Sequence, residues 1–344
     1  MLKNKIIRKI KNAIEINPIL RKIFDLIGEN YFYKKLVYLI INQVENKIKK
    51  EKKYNIIIET TNLCNARCVM CPHLFMKRKK EIMKDSIFLK ILEKIKKEKI
   101  NPQVFIINGF GEPLTDKKIF ERIKTLKNFF PNIPVKFYSN FNLANDYIIR
   151  EIFESKVDEI NISFNGLNKK SYTQTMGLNY LKTIKNLKKL IAEKRKRRSQ
   201  IPVIRISMTL VKTNEGEERK FIEKWERLVD SVSVNRVHNY GGAVEDVSGS
   251  YKINYNKTPY PCKYIWNTIV FGVKGDIFLC CLDYEGKYVF GNILKNGILE
   301  SFYSKKFQRI RELHLKGEIK KLPLCSFYYT PYRNGVEWFF DKLF

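Results

Sequence analysis

From Tyr54 to Val237 the chain switches six times between short apolar runs and longer stretches with helical spacing, and this alternation constrains its fold more than any other feature. Residues 55–59, 104–108, 135–139, 159–164, 203–210 and 232–237 read as strands. After the first, Ile87, Phe88, Ile91, Leu92 and Ile95 share one helical face, with Asp85 as the expected N-cap. Ile119, Phe120, Ile123 and Leu126 do the same after the second, and helices are expected near 145–155, 180–197 and 216–229. Six such units predict an α/β fold built on a parallel sheet. In sheets of this kind, binding side chains gather at the C-terminal ends of the strands.

The first strand runs directly into the densest chemistry of the chain, Glu59-Thr-Thr-Asn-Leu-Cys-Asn-Ala-Arg-Cys-Val-Met-Cys-Pro72. Cys64, Cys68 and Cys71 are three of the seven cysteines. Thiolates this close suit zinc, copper(I) or an iron-sulfur cluster. A closed zinc site would need a fourth ligand, and His73 is the nearby candidate. Three cysteines can instead occupy three corners of a four-iron cube and leave one iron open.

The second strand ends in Asn108-Gly-Phe-Gly-Glu-Pro113, and glycines let backbone come close to a ligand. Ser139 and Asn140 end the third strand, and Ser163 and Asn165 the fourth. Ser and Asn are by default capping or turn residues at such places. On the fifth strand Arg205 and Ser207 alternate with Ile204, Ile206 and Met208, so the two polar side chains share a face. His238 follows the sixth strand, just before Gly241-Gly242, and is the candidate catalytic residue on the substrate side.

The Cys-x3-Cys-x2-Cys spacing after a strand, with Asn65 and Met70-Cys71-Pro72-His73 as flanks, resembles the signature of the radical S-adenosylmethionine (radical SAM) superfamily. The resemblance implies a partial (β/α)6 TIM-like barrel. It also implies a [4Fe-4S] cluster on Cys64, Cys68 and Cys71 that binds S-adenosylmethionine. By the same resemblance Gly109, Phe110, Gly111, Glu112 and Pro113 match the superfamily's Gly-Gly-Glu-Pro element, which contacts the methionine amino group. Met70, Ser139, Asn140, Ser163, Asn165, Arg205 and Ser207 join them as cofactor contacts. Relatives often carry Asp where this chain has Asn165.

Beyond Gly249 the alternation stops, and Cys262, Cys280, Cys281 and Cys325 account for the remaining thiols. Strands are expected over 267–273 and 276–282, meeting at Lys274-Gly275, with an amphipathic helix near 298–314. Pro261-Cys262, Trp266, Gly275-Asp276, Cys280-Cys281-Leu282-Asp283, Gly291-Asn292 and Pro323-Leu324-Cys325 resemble a SPASM or shortened twitch domain, which implies an auxiliary iron-sulfur cluster. Relatives place a further cysteine where this chain has Tyr328. Three outcomes are open: Cys281 completes the ligand set, one iron stays free for substrate, or the same thiols bind zinc or nothing.

Composition sets the remaining bounds. The formal charge of +31 is read as lysine-rich background in preference to a nucleic-acid or anionic-membrane partner, and no nucleic-acid motif stands out. Unpaired, clustered thiols without an apolar leader fit a reducing cytoplasm. Within residues 1–52, Ile6, Ile7, Ile10, Ala13 and Ile14, then Leu36, Leu39, Ile40 and Val44, recur at helical spacing opposite basic residues. This extension either packs on the core, the preferred reading, or touches a membrane surface; no apolar run is long enough to span a bilayer.

The expected organisation is therefore a basic helical extension (1–52), a radical SAM core (53–248) and a small α+β auxiliary-cluster domain (249–344). The expected activity is reductive cleavage of S-adenosylmethionine and hydrogen abstraction from a peptide, protein or small sugar-like substrate, including net oxidation. The expected electron source is flavodoxin or ferredoxin. Two other readings stand beside it, a tRNA- or rRNA-modifying radical SAM enzyme and a non-enzymatic thiolate-zinc protein.

Overall fold

The computed structural model describes residues 45–237, Tyr240, 242–244, Val247 and 261–326. His238 and Tyr328, and all but the last residues of the N-terminal extension, lie outside the described residues.

Nine strands form one sheet in the order β6-β5-β4-β3-β2-β1-β7-β8-β9. The first six are β1 (Lys53–Ile58), β2 (Asn101–Ile107), β3 (Val135–Ser139), β4 (Glu159–Ser163), β5 (Val203–Leu210) and β6 (Ser231–Arg236). All six are parallel neighbours, as the alternation requires. The chain then returns to the other side of β1 as β7 (Thr268–Phe271), also parallel, in register from Asn55↔Thr268 to Ile58↔Phe271. β8 (Asp276–Phe278) and β9 (Val289–Asn292) extend the sheet antiparallel. Among the described residues no pairing joins β6 to β9, so the barrel is partial.

Helices α1 (Asp85–Lys97), α2 (Ile119–Phe129), α3 (Asp146–Glu154), α4 (Lys169–Met176), α5 (Tyr180–Lys196) and α6 (Glu218–Trp225) cover the outer face. Alternate strand residues such as Ile56, Ile58, Phe105, Phe137, Ile160 and Ile206 meet Ile91, Leu92, Ile123 and Leu187 in the main core. Each such buried side chain contributes about 1.5–3 kcal/mol of burial free energy. Because strand side chains alternate, the opposite face carries a different set: Ile57, Val270 and Phe278 make a separate inner cluster with Ile106, Val289 and Cys281.

Several boundaries differ from expectation. Lys84, extended, takes the N-cap position of α1, while Asp85 is its first residue and binds Lys118 Nζ at 2.5 Å and Arg122 Nη2 at 3.0 Å. α4 has no counterpart among the expected helices; its Lys-Lys-Ser-Tyr-Thr-Gln-Thr-Met sequence is polar, and it forms behind a capping box of Asn168 and Ser171. The single helix expected near 298–314 is two, α8 (Ile298–Phe302) and α9 (Lys305–Leu315), because Ser304 starts the second by accepting from Phe307 N–H. Two four-residue turns, α7 (Tyr264–Asn267) and α10 (Pro323–Ser326), complete the tail.

The described end of the N-terminal extension, helical over 45–51, packs on this tail. Glu45 accepts from Trp266 Nε1 at 2.9 Å, and Ile48 touches the main core. No helix among the described residues is long and apolar enough to cross a membrane.

Candidate functional site

The cysteine loop leaves the C-terminal end of β1 and is pinned on both sides. Arg67 and Val69 N–H donate to Met176 and Thr175 carbonyls at the end of α4, both at 3.0 Å. Within the loop Cys71 N–H reaches Cys68 O, and Ala66 N–H donates to Cys64 Sγ at 3.4 Å. Burial pushes the Cys64 thiol up to about 12 and those of Cys68 and Cys71 upward, and Cys68 also feels its neighbours Cys71 and Cys64. Half-buried thiols shifted upward by desolvation, with Cys64 and Cys68 raised further by their cysteine neighbours, ionise readily only beside positive charge, which fits thiolate ligation of iron. His73 is buried and held by Asn62 O at 2.9 Å through Nε2.

The 109–113 loop lies directly against this loop. Glu112 N–H donates to Leu63 O at 2.7 Å. A Cβ on Gly111 would sit 2.3 Å from Thr61 O, and one on Gly109 would sit 2.4 Å from Glu59 Cγ. The missing side chains thus make room for protein, the cysteine-loop backbone and a buried carboxylate. Glu112 itself is 2% exposed. It accepts from Ser139 Oγ (2.6 Å), Asn140 N–H (2.7 Å) and Leu114 N–H (3.1 Å), yet burial still raises its carboxyl to about 7. Asn140 also reaches the cysteine loop, donating to Asn65 Oδ1 at 2.8 Å.

Cys64, Glu112, Ser139 and Asn140 therefore converge, while Ser163, Asn165, Arg205 and Ser207 belong to β4, β5 and the turn after β4, and Met70 to the cysteine loop itself. Asn165 spends its Oδ1 on Thr209 N–H at 2.8 Å, tying the ends of β4 and β5. Ser163 sits in register with Ser207, whose hydroxyl donates to Asn161 Oδ1 at 2.9 Å. Arg205 shares their face, but its guanidinium pairs with Glu159 at 2.7 Å. Met70 joins Val211 and Val237 in a small apolar cluster beside Cys68.

Sequence reasoning missed the pair that fastens the loops together. Glu59, 3% exposed, accepts Arg78 Nη1 at 2.8 Å and Nη2 at 2.9 Å, a bidentate ion pair, and Phe110 N–H at 3.1 Å. Arg78 Nε donates to Tyr284 O at 2.5 Å, and the N–H groups of Lys77 and Arg78 donate to Glu285. One guanidinium thus joins the strand end, the 109–113 loop and the C-terminal segment. The only hint in the sequence is an acidic residue closing an apolar strand.

The four C-terminal thiols come from three segments. Cys280 and Cys281 lie beyond β8, which ends at Phe278 rather than continuing to Leu282. They therefore occupy a turn, and opposite strand faces do not separate them. Buried Asp283 shapes the next turn, accepting the N–H groups of Lys287 and Tyr288 at 2.9 and 2.7 Å. Burial lifts Cys262 to about 12 and Cys281 to about 11, and raises Cys280 and Cys325 as well. Cys280 additionally feels Cys281, Cys325 and Cys262, so the four share one neighbourhood. His314, also unforeseen, accepts Cys262 N–H through Nδ1 at 3.2 Å, and burial depresses its imidazole to about 3.

Topology sets the two thiol groups at opposite ends of the β1–β7 pair. Cys64 to Cys71 follow β1, while Cys262 precedes β7, and Cys280 and Cys281 follow the antiparallel β8. Tyr240 senses both: burial first, then Cys71, Cys281 and Cys68, raise its phenol. Its ring meets Phe110 edge-on at 5.8 Å, and Phe110 in turn meets Tyr284 at 5.9 Å.

Two family models match this chain, the radical SAM superfamily over residues 58–224 and the SPASM iron-sulfur cluster-binding domain over 262–326. The chain belongs to the radical SAM superfamily. Membership brings a [4Fe-4S] cluster and S-adenosylmethionine to the core, and further iron-sulfur ligation to the SPASM domain. Solved structures of the same fold include Streptococcus suis SuiB bound to precursor peptide SuiA, with TM-score 0.61 and 15% identity over 77% of this chain and 69% of that one. BtrN in complex with AdoMet and 2-DOIA has TM-score 0.56 and 17% identity over 80% and 92%. A Pyrococcus furiosus tungsten-containing aldehyde ferredoxin oxidoreductase cofactor-modifying protein is 25% identical over 158 residues, which are 46% of this chain and 44% of that protein. The match thus spans less than half of that relative's length.

Proposed function

We propose that this radical SAM enzyme cleaves S-adenosylmethionine reductively at Cys64, Cys68 and Cys71 and abstracts hydrogen from a peptide, protein or small sugar-like substrate. The cluster and cofactor, when bound, supply one-electron cleavage of the sulfonium to methionine and a 5′-deoxyadenosyl radical. The protein's own work is placement and exclusion of water. The three cysteines would hold the centre, and the 109–113 loop, fixed against the cysteine loop by Glu112 and Glu59, would contact the methionine end of the cofactor. Ser163, Ser207 and Arg205 line the same inner face and are further candidates for cofactor or substrate contact. We read the chain as extension 1–52, core 53–248 and auxiliary domain 249–344, with His238 held as a substrate-side candidate.

The observation that carries this reading is that the two thiol groups lie at opposite ends of the β1–β7 strand pair, with Tyr240 near both. Substrate held between them meets the radical from one side and an electron acceptor from the other, which makes net oxidation the favoured outcome. The peptide-bound SuiB structure and the 2-DOIA-bound BtrN structure support the breadth of the substrate class. Anaerobic reconstitution tests the proposal. It should give a brown protein that converts S-adenosylmethionine to 5′-deoxyadenosine on reduction with dithionite, and a colourless, zinc-loaded protein without cleavage would refute it.

A further inference from the structure

Four residues past Cys71, the chain presents apolar side chains to solvent on a turn that is otherwise tightly held. Phe75 is 61% exposed, Leu74 47% and Ile82 39%. The 3-10 turn Pro72–Leu74 presents the first two, closed by Phe75 N–H to Pro72 O at 2.9 Å. Beneath it His73 and Met76 are buried. Asn62 locks the following segment, donating to Lys79 O at 2.9 Å and accepting Glu81 N–H at 2.6 Å. The exposure therefore belongs to a built surface.

The rim of this surface is basic. Residues 72–84 contain Lys77, Arg78, Lys79, Lys80 and Lys84 against one acid, Glu81. Arg78 is occupied by Glu59, and Glu81 lies 3.4 Å from Lys274 Nζ, while Lys77, Lys79 and Lys80 are exposed. Glu285 and Asp276 are further carboxylates beside the rim; Glu285 accepts the Lys77 and Arg78 N–H groups, and Asp276 accepts Asn292 Nδ2. An apolar centre with a cationic rim suits a protein partner of opposite charge.

We propose that the 74–80 turn is the docking surface for a small acidic one-electron carrier protein of the flavodoxin or ferredoxin class. The inference rests on the function proposed above, because only a reductively triggered centre needs such a partner. The carrier is oxidised by one electron, which passes to the thiolate-held centre, and no bond or proton moves in that step. At about 2 Å rise per residue in a 3-10 turn, the Phe75 backbone lies roughly 8 Å from that of Cys71. Electron transfer weakens steeply with distance, and this turn is a short route from surface to thiolate. A small patch suffices, since electron-transfer encounters bury less than about 1,200 Å². The lysines would speed encounter and make its rate fall with salt.

The test uses reconstituted full-length protein and two surface variants, Phe75→Ser and the double variant Lys79→Glu/Lys80→Glu. Formation of 5′-deoxyadenosine is followed with dithionite and, separately, with flavodoxin kept reduced by its NADPH-dependent reductase. We expect dithionite-driven rates within about twofold of the parent, flavodoxin-driven rates down about tenfold or more, and a flattened salt dependence in the lysine variant. A parent protein active with dithionite whose flavodoxin-driven rate ignores both variants overturns the docking surface alone. A parent active with dithionite but not with flavodoxin likewise overturns the docking surface alone, and a parent inactive with both reductants overturns the proposed function and this inference with it.

Discussion

The two cysteine sites are built on opposite plans. Cys64, Cys68 and Cys71 share one loop whose backbone is bonded to α4 and to the 109–113 loop, so the site is largely specified by eight consecutive residues. Cys262, Cys280, Cys281 and Cys325 arrive from three segments and meet only because β7, β8 and α10 are in place. A local site can persist when its surroundings loosen; an assembled one depends on the whole tail. The first suits a centre that must always be ready for cofactor, and the second a centre whose presence reports a fully folded domain.

Cysteine variants should separate the two plans with the largest effects. Cys64→Ala is expected to reduce 5′-deoxyadenosine formation to background, because no neighbouring thiol can replace a ligand of the loop. Cys325→Ala should leave that cleavage in place while abolishing conversion of substrate. Iron analysis should follow suit, with about eight irons per parent chain and about four in Cys325→Ala. Equal loss of cleavage in both variants would show that the tail is not a separable site.

Arg78 is the bridge between the plans, and its removal should be the next largest effect. Arg78→Met leaves buried Glu59 without its counter-charge, and breaking such a pair costs about 3–5 kcal/mol. The Tyr284 link goes with it, and the Glu59 oxygen that accepts Phe110 N–H is left without its cationic partner. Chemical denaturation should register the loss, and affinity for S-adenosylmethionine should fall in step. Arg78→Lys keeps the charge without the bidentate fork and should recover only part of both. An Arg78→Met protein as stable as the parent would mean that the two sites are energetically independent.

The same contrast explains what the sequence disclosed. The parallel sheet was legible because six apolar runs alternate with helical faces, and β5 falls on 203–210 as expected. The first site was legible because its ligands are neighbours in the chain. The second was half legible: Phe278-Leu-Cys-Cys-Leu282 reads as strand from its apolar character, yet the strand stops at Phe278 as the chain turns toward Asp283. Glu59 and Arg78 were not legible at all. They stand nineteen positions apart, and their pairing exists only after the 77–81 segment folds back over the strand end. The ion pair of Arg205 was hidden for a related reason, since its partner Glu159 is a cross-strand neighbour that only the sheet register reveals.

Glu112 offers the smallest effect and a test confined to the first site. Burial holds its carboxyl at about 7, above the usual 4.5, so the folded chain binds a proton that the unfolded chain has released between those values. Its contribution to stability is therefore full below pH 4.5 and is lost as pH rises through about 7, by an amount on the order of 3 kcal/mol. In cluster-free protein, denaturation midpoints should decline across that window, and Glu112→Gln, which keeps a neutral amide in the carboxyl's place, should flatten the decline. The Cys325→Ala protein should keep the parent's slope, because Glu112 bonds only to the first site's own loop and to β3. A slope that changes with Cys325 would mean that the tail reaches into the first site by a route other than Arg78.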